Sequence, residues 1–364
     1  MTSIRALLVV SIALVFAGQA HAFKLSPSGT ALDRQRAYAK AGWLERIQQK
    51  LALRGIHHFT EPVHEEITHR IYNCDADQII CGDPDVEYAP LAVLSGVRWN
   101  DDPPFRLNKT SISECKIDET IRVITQPVCW AKLFKYAELN ASSESYDANH
   151  TASNLMFRSH FGDLQFIHAM ASKDGEEAEE TQRNILMWAE FTWRVALGEF
   201  GHGHLLREIP VSGFSNFFSN VGWNVQDLFT LGNPQLRKNL SDVAFGSLLH
   251  MVEDSFARGH TSRNEGVFGE SCLGSRVVKP GTIREFHSYQ NQDHNKHAEA
   301  DTRIAMADQL IEKPSVVAVG RELRIFYEQR TGWTAVKPFF ECIFDIENPR
   351  QPASAGAAFR RENI

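Results

Sequence analysis

The chain has 364 residues, 43% of them hydrophobic, and a net charge of −7 at neutral pH. A chain of this length and apolar content can bury a sizeable core, which excludes the charge-rich, core-poor class of disordered proteins. The negative balance provides no global basic field to attract nucleic acid.

The first 22 residues, MTSIRALLVVSIALVFAGQAHA, combine Arg5, an apolar stretch from Ala6 to Ala17 and a small-residue end at Ala20-His21-Ala22. That pattern predicts a secretory signal peptide over 1–22, too short in its apolar part to span a bilayer. The expected location is secreted or periplasmic. Residues 23–346 then form a single domain. Ala31 to Leu53 reads as a helix, with Leu44, Ile47, Leu51 and Leu53 apolar. Pro62 marks a helix start before His64 to Tyr72. Tyr88 to Val97 reads as a helix that ends at the Asn100-Asp101-Asp102-Pro103-Pro104 turn, where paired prolines stop it. Ser111 to Ala152 is polar and cysteine-bearing, and is expected to be an irregular insertion.

Further along, Glu177 to Gly198 has helical periodicity through Ile185, Leu186, Trp188, Phe191, Trp193 and Leu197. The aromatic run Gly213 to Phe229 places Phe214, Phe217, Phe218, Val221, Val225 and Leu228 near helical spacing. It is either a core face or a lipid-contacting segment. Asp242 to Arg258 and His294 to Ile311 read as helices, and Pro314 to Phe344 as one or two more. Residues 347–364, small and charged, are expected to be a disordered tail. No run of alternating strands stands out, so the expected fold class is all-α.

Six cysteines, Cys74, Cys81, Cys115, Cys129, Cys272 and Cys342, suit disulfides in an oxidising compartment, and the sequence cannot choose among their pairings. The simplest scheme joins Cys74 with Cys81 and Cys115 with Cys129, leaving Cys272 with Cys342. Asn108, Asn140, Asn149 and Asn239 begin glycosylation sequons.

The run FGSLLHMVEDSFARGHTSR is the most informative. His250 and Asp254 are four residues apart, so on a helix they share a face and can grip one cation. Gly259 ends the helix and lets His260 swing to a nearby position. His297 and Asp301 in DHNKHAEADTR repeat the spacing. PVHEEITHRIY with His64, GVRWNDDPPF with Asp101 and Asp102, and RSHFGD with His160 add further ligand types. A buried carboxylate among imidazoles needs a compensating charge, and the nitrogen and carboxylate set suits zinc. Near these, His168 competes with His160, His287 and His294 with His297, and Asp102 with Asp101. His202 and His204, whose glycine-rich flanks suggest a turn, read as structural, and His69, on a different helix face from His64, as a bystander.

In order and spacing, these motifs resemble the zinc-dependent phospholipase C and single-strand nuclease superfamily, with the likeness running from His64 to Asp301. RSHFGD and GVRWNDDPPF resemble its phospholipase branch. The resemblance implies an all-α, disulfide-stabilised domain around a cleft holding two to three zinc ions. It implies one zinc between Asp101, His160, His250 and Asp254, a second on His260, His297 and Asp301, and a third shared by His64 and Asp254. In the family an N-terminal Trp completes the third site. Here the expected mature chain starts at Phe23, far from His64, so either that arm folds back, or His57 or His58 substitutes, or the third site is weak or empty. The implied function is phosphodiester hydrolysis by metal-activated water, with Asp101, Asp102 and Asp254 in the catalytic centre and Asp102 or Asp163 to orient the water. The implied partner is a phospholipid, met by peripheral membrane contact and cleaved to diacylglycerol and a phosphorylated head group. Nucleic acid is the alternative substrate, and a non-catalytic zinc-binding surface protein is the alternative of another class.

Overall fold

The computed structural model describes residues 62–72, 89–140, 154–219, 222–266, 269–300, 302–305, 307 and 314–362. The expected signal peptide, the helix expected at Ala31 to Leu53, His57, His58, Cys74, Cys81, Asn149, Val221 and Asp301 lie outside the described residues. Among those residues the fold is largely helical. In chain order the helices are α1 (Val63–Ile71), α2 (Leu91–Val97), α3 (Pro127–Asn140), α4 (Leu155–His160) and α5 (Ala178–Ala196). After them come α6 (Ser215–Phe218), α7 (Val225–Thr230), α8 (Leu240–Asp254), α9 (His294–Ala300), α10 (Val316–Glu328) and α11 (Trp333–Ile343). A 3-10 turn, Gln165–His168, follows α4. No described helix is long and apolar enough to cross a membrane.

Helix α8 is the hub. Every residue from Val243 to Asp254 is buried, so α8 is enclosed on all sides and packs on α1, α2, α5, α7 and α10. Its contact with α2 is set by two glycines. A Cβ on Gly246 would lie 2.1 Å from the Val93 carbonyl oxygen, and one on Gly96 would lie 2.1 Å from that of Val243. Only glycine permits backbones to approach this closely. The turn after α2 therefore runs directly beside His250, one helical turn beyond Gly246. Asn100 locks that turn in place: its amide donates to the carbonyls of Ile167 (2.7 Å) and Ser247 (3.2 Å), and the Ser247 hydroxyl donates back at 2.6 Å.

The aromatic residues of Gly213 to Phe229 belong to the core. Phe214, Phe218, Val225 and Leu228 are fully buried. Phe214 packs on Phe191 (4.2 Å) and Phe229 lies near Trp188 (6.2 Å). The run forms two short helices rather than one, since Asn224 caps α7 with a reciprocal Asn224–Asp227 capping box. Disulfides join Cys115 with Cys129 and Cys272 with Cys342, as the simplest pairing expected.

The largely helical fold fits the expected all-α class, with one small antiparallel ribbon, β1 (Thr261–Arg263) and β2 (Ile283–Phe286), added after His260. Two expectations need correction. Within the expected irregular insertion, Pro127–Asn140 is helix α3, anchored by buried Trp130, Leu133, Phe134 and Ala137. The segment expected to be a disordered tail is a docked strap as far as residue 362. Its backbone pairs with Glu177, His287 and Gln292 through Pro352, Ser354 and Arg360, and it buries Ala353 and Ala355. Small residues here permit close backbone approach, which composition alone reads as disorder.

Candidate metal centre

Helix α8 supplies His250 and Asp254, and the i,i+4 spacing puts His250 Nε2 at 2.9 Å from Asp254 Oδ2. Helix α1 brings His64 to the other oxygen, with Nε2 at 3.3 Å from Asp254 Oδ1. The His64 ring stacks on that of His250, their centroids 3.9 Å apart. The turn after α2 supplies Asp101, the end of α4 supplies His160, and the 3-10 turn supplies His168. His160 Nε2 and His168 Nδ1 lie 3.8 and 3.7 Å from Asp101 Oδ1. His64, His250 and Asp254 form one group whose ligand atoms lie within 4.8 Å of one another, and Asp101, His160 and His168 form another. The groups meet at His168, whose Nδ1 is 2.8 Å from Asp254 Oδ2 and 3.1 Å from His250 Nε2. His168 thus joins His160 in the cluster rather than competing with it. Their eight-residue separation passes through the bend after α4, which sequence spacing did not reveal.

A second corner lies beside this cluster. His260 follows the end of α8, and its ring is 5.0 Å from that of His297 on α9. Its Nδ1 donates to the His168 carbonyl at 2.7 Å and lies 3.7 Å from Asp254 Oδ2. The Tyr289 hydroxyl meets His297 Nε2 at 2.8 Å. Gly259 is required here because a Cβ would sit 2.8 Å from His297 Nδ1. Asp301 lies beyond the described residues, so two of the three ligands expected at this corner are on view.

The rings of His64, His160 and His168 are each steered by a partner on the far side. Glu253 Oε2 meets His64 Nδ1 at 2.6 Å and is itself held by the Thr68 hydroxyl at 2.9 Å. The Met156 carbonyl meets His160 Nδ1 at 3.0 Å, and the Asn100 carbonyl meets His168 Nε2 at 3.2 Å. The opposite nitrogens of His64, His160 and His168 then face the carboxylates. Metal-binding histidines have this arrangement, since an outer acceptor fixes tautomer and ring orientation.

The charge balance is equally telling. Asp101 is 3% exposed, and among the described residues neither of its carboxylate oxygens receives a hydrogen bond. Burial pushes Asp101 well above the usual carboxylate range, and Asp254, Glu65 and Asp102 nearby push it further, while His250 opposes them. Burial likewise raises Asp254. It forces His64 and His168 well below the usual imidazole value, and takes His160 down to about 4 and His260 to about 3. The imidazoles are therefore neutral, the form that ligates a metal. The carboxylates are left without a compensating charge inside the protein. A bound cation supplies that charge, so the residues fit a metal ion.

Other sequence candidates have different roles. Asp102 accepts from Arg122 Nε at 3.1 Å and from the Val123 N–H at 3.0 Å. Burial lifts it to about 6, with Arg122 opposing. Asp163 makes a two-pronged pair with Arg158 at 2.8 and 2.6 Å and is 45% exposed. His202 and His204 lie on an exposed turn, and His69 accepts from the Ala89 N–H at 3.3 Å. His287 is held between the Gly259 carbonyl (3.0 Å) and the Ser262 hydroxyl (2.9 Å). Sequence reasoning missed Glu253, Asn100 and Tyr289. Two of these sit directly beside ligands, in VED and WND, where an outer-sphere role leaves no spacing signal. Comparison with protein-family models, curated proteins and solved structures finds no match. The geometry therefore carries the functional reading.

Proposed function

We propose that this protein is a zinc-dependent phosphoester hydrolase of the phospholipase C type. The observation that carries the reading is Asp101, a buried carboxylate without a hydrogen-bond donor among the described residues, clustered with the imidazoles of His64, His160, His168 and His250 and with Asp254. Nitrogen and carboxylate ligands of this kind favour zinc. Asp101, His160, His168, His250 and Asp254 would hold one ion. His64 shares Asp254 at a neighbouring position, and His260 and His297, with Asp301 as expected from sequence, would hold another. Zinc bound there would supply Lewis-acid activation of water and of a phosphoryl oxygen.

The protein's own contribution is to arrange and dry the site. Glu253, Asn100 and Met156 keep their imidazoles aimed at the cluster. Asp254 presents one oxygen toward His64 and the other toward His250 and His168, so a single side chain links the two ligand groups. Asp102 and Asp163, paired with arginines, are positioning groups rather than proton acceptors. The net charge of −7 favours a lipid phosphodiester over a nucleic acid. The two disulfides suit the oxidising compartment that the N-terminal sequence implies.

The test is metal analysis of the purified protein together with parallel assays on phosphatidylcholine vesicles and single-stranded DNA. About two to three zinc ions per chain are expected, with lipid cleavage that a chelator abolishes. Less than about one zinc per chain overturns the centre. Cleavage of DNA alone overturns the substrate class.

A further inference from the structure

A cavity of about 430 Å³ is lined by Phe256, Arg258, Thr261, Arg263, Glu265 and Gly281 among its residues. No ligand candidate of the metal centre lines it. Its size falls within the usual range of small-molecule sites. The ribbon directs side chains toward it. The β1–β2 pairing is irregular between Ser262 and Arg263. Side chains alternate along a strand. Ser262 turns to His287, while Thr261 and Arg263 line the cavity.

Arg263 is the unusual group. Its Nε donates to the Ser255 carbonyl at 2.8 Å, one terminal nitrogen to the Gly281 carbonyl at 3.2 Å, and the other to the Ser255 hydroxyl at 3.1 Å. The guanidinium lies over the Phe256 ring, 4.9 Å from its centroid. Every one of these partners is neutral. A guanidinium has five N–H donors, so one on each terminal nitrogen is left for a ligand. Burial lowers the Arg263 pKa to about 9. Arginine at that value is still a cation at neutral pH. A part-buried guanidinium fixed by neutral groups, with no ion pair of its own among the described residues, at the wall of a cavity, matches the planar recognition of an oxyanion.

We propose that this cavity is an anion-binding site in which Arg263 contacts the phosphate or carboxylate group of a small ligand. Glu265, exposed on the same wall, disfavours a ligand carrying many negative charges and favours one with a single anionic group. The inference stands apart from the metal-centre reading, because it uses none of that centre's residues.

Isothermal titration of the full chain tests it, with inorganic phosphate and acetate as separate probes. A background of Asp101→Asn impairs the metal centre, so that binding there does not mask the cavity. Phosphate, acetate or both should still bind in that background, and whichever binds identifies the anion class. Arg263→Gln should weaken that binding by about tenfold or more, the loss expected for a charge-assisted contact. Glu265→Gln, a change at an exposed position, should strengthen it. A wild-type crystal soaked in phosphate gives a readout that does not depend on any variant folding: density within hydrogen-bond distance of the Arg263 terminal nitrogens. The proposal is overturned if neither anion binds once Asp101 is changed, or if the soaked crystal leaves Arg263 bare.

Discussion

The two parts of the metal centre are built in different ways. His64 sits on α1, His250 and Asp254 on α8, and Asp101 in the turn after α2, which the glycine contact between α2 and α8 holds beside His250. His260 and His297 sit on a loop and a seven-residue helix, and are braced by Tyr289, His287, Gln292 and the C-terminal strap. Gln292 shows the bracing plainly: its amide donates to the Gly259 carbonyl at 2.7 Å and to the Ala355 carbonyl at 3.0 Å. One part is held by helix packing and the other by a web of loop hydrogen bonds. The first should respond as a unit and the second piecemeal.

Asp254→Asn gives the largest expected effect, since Asp254 touches both ligand groups. The amide keeps the shape but loses the charge and one good ligand oxygen. Turnover should fall by roughly a hundredfold or more, with zinc lost from the cluster. Asp163→Asn, at a half-exposed position outside both ligand groups, should cost far less turnover. A folded Asp254→Asn protein with full zinc and normal turnover would show that the two groups do not share this carboxylate.

Gly246→Ala tests the packing itself without touching a ligand. The new methyl would meet the Val93 carbonyl at 2.1 Å, so α2 and α8 must separate. Overpacking of this kind costs about 1–3 kcal/mol. Thermal unfolding should register that loss, and zinc should leave the Asp101 group before it leaves His260. Unchanged melting and metal content would mean that the interface yields without moving Asp101.

These contrasts also explain what the sequence could reveal. His250 and Asp254 were legible because helical spacing converts directly into proximity. Asp101 was legible from its proline-stopped turn, but its nearness to α8 depends on Gly96 and Gly246, whose pairing no local pattern records. His168 was judged a rival to His160 because their separation matches no helical face, and the bend between them is a property of the chain's path. The strap at 347–362 was misread since its backbone pairing with Glu177, His287 and Gln292 is entirely long-range. Helix α3 was hidden by the polar, cysteine-bearing stretch around it, and the ribbon strands are too short to show alternation.

Proton release separates the two parts by pH. Burial holds Asp101 and Asp254 above the ordinary carboxylate range, so the metal-free cluster keeps carboxyl protons at pH values where exposed carboxylates have lost them. A metal must displace those protons, and affinity at the cluster should therefore rise with pH above the ordinary carboxylate value. His260, lowered to about 3, is already neutral across that range and adds no such slope. Zinc titration in buffers of differing ionisation enthalpy measures the protons released. Release centred near 6.5, the ordinary value for an exposed imidazole, would show instead that the histidines carry the protons.

The smallest expected effect is at Tyr289. Its hydroxyl meets His297 Nε2 at 2.8 Å, and its ring lies against Phe161 (6.0 Å) and His297 (4.7 Å). Tyr289→Phe keeps the ring and its packing and removes only the oxygen that orients the imidazole. Outer partners of this type are worth about ten- to a hundredfold in metal affinity. The loss should fall on the His260 and His297 corner alone, because the rings of the first cluster are steered by Glu253, Asn100 and Met156. Zinc occupancy under a graded chelator should then show one weakened ion beside an unchanged cluster, with the same melting temperature before metal is added. If all the zinc weakens together, the two parts are one cooperative site, and the difference in how they are built has no energetic consequence.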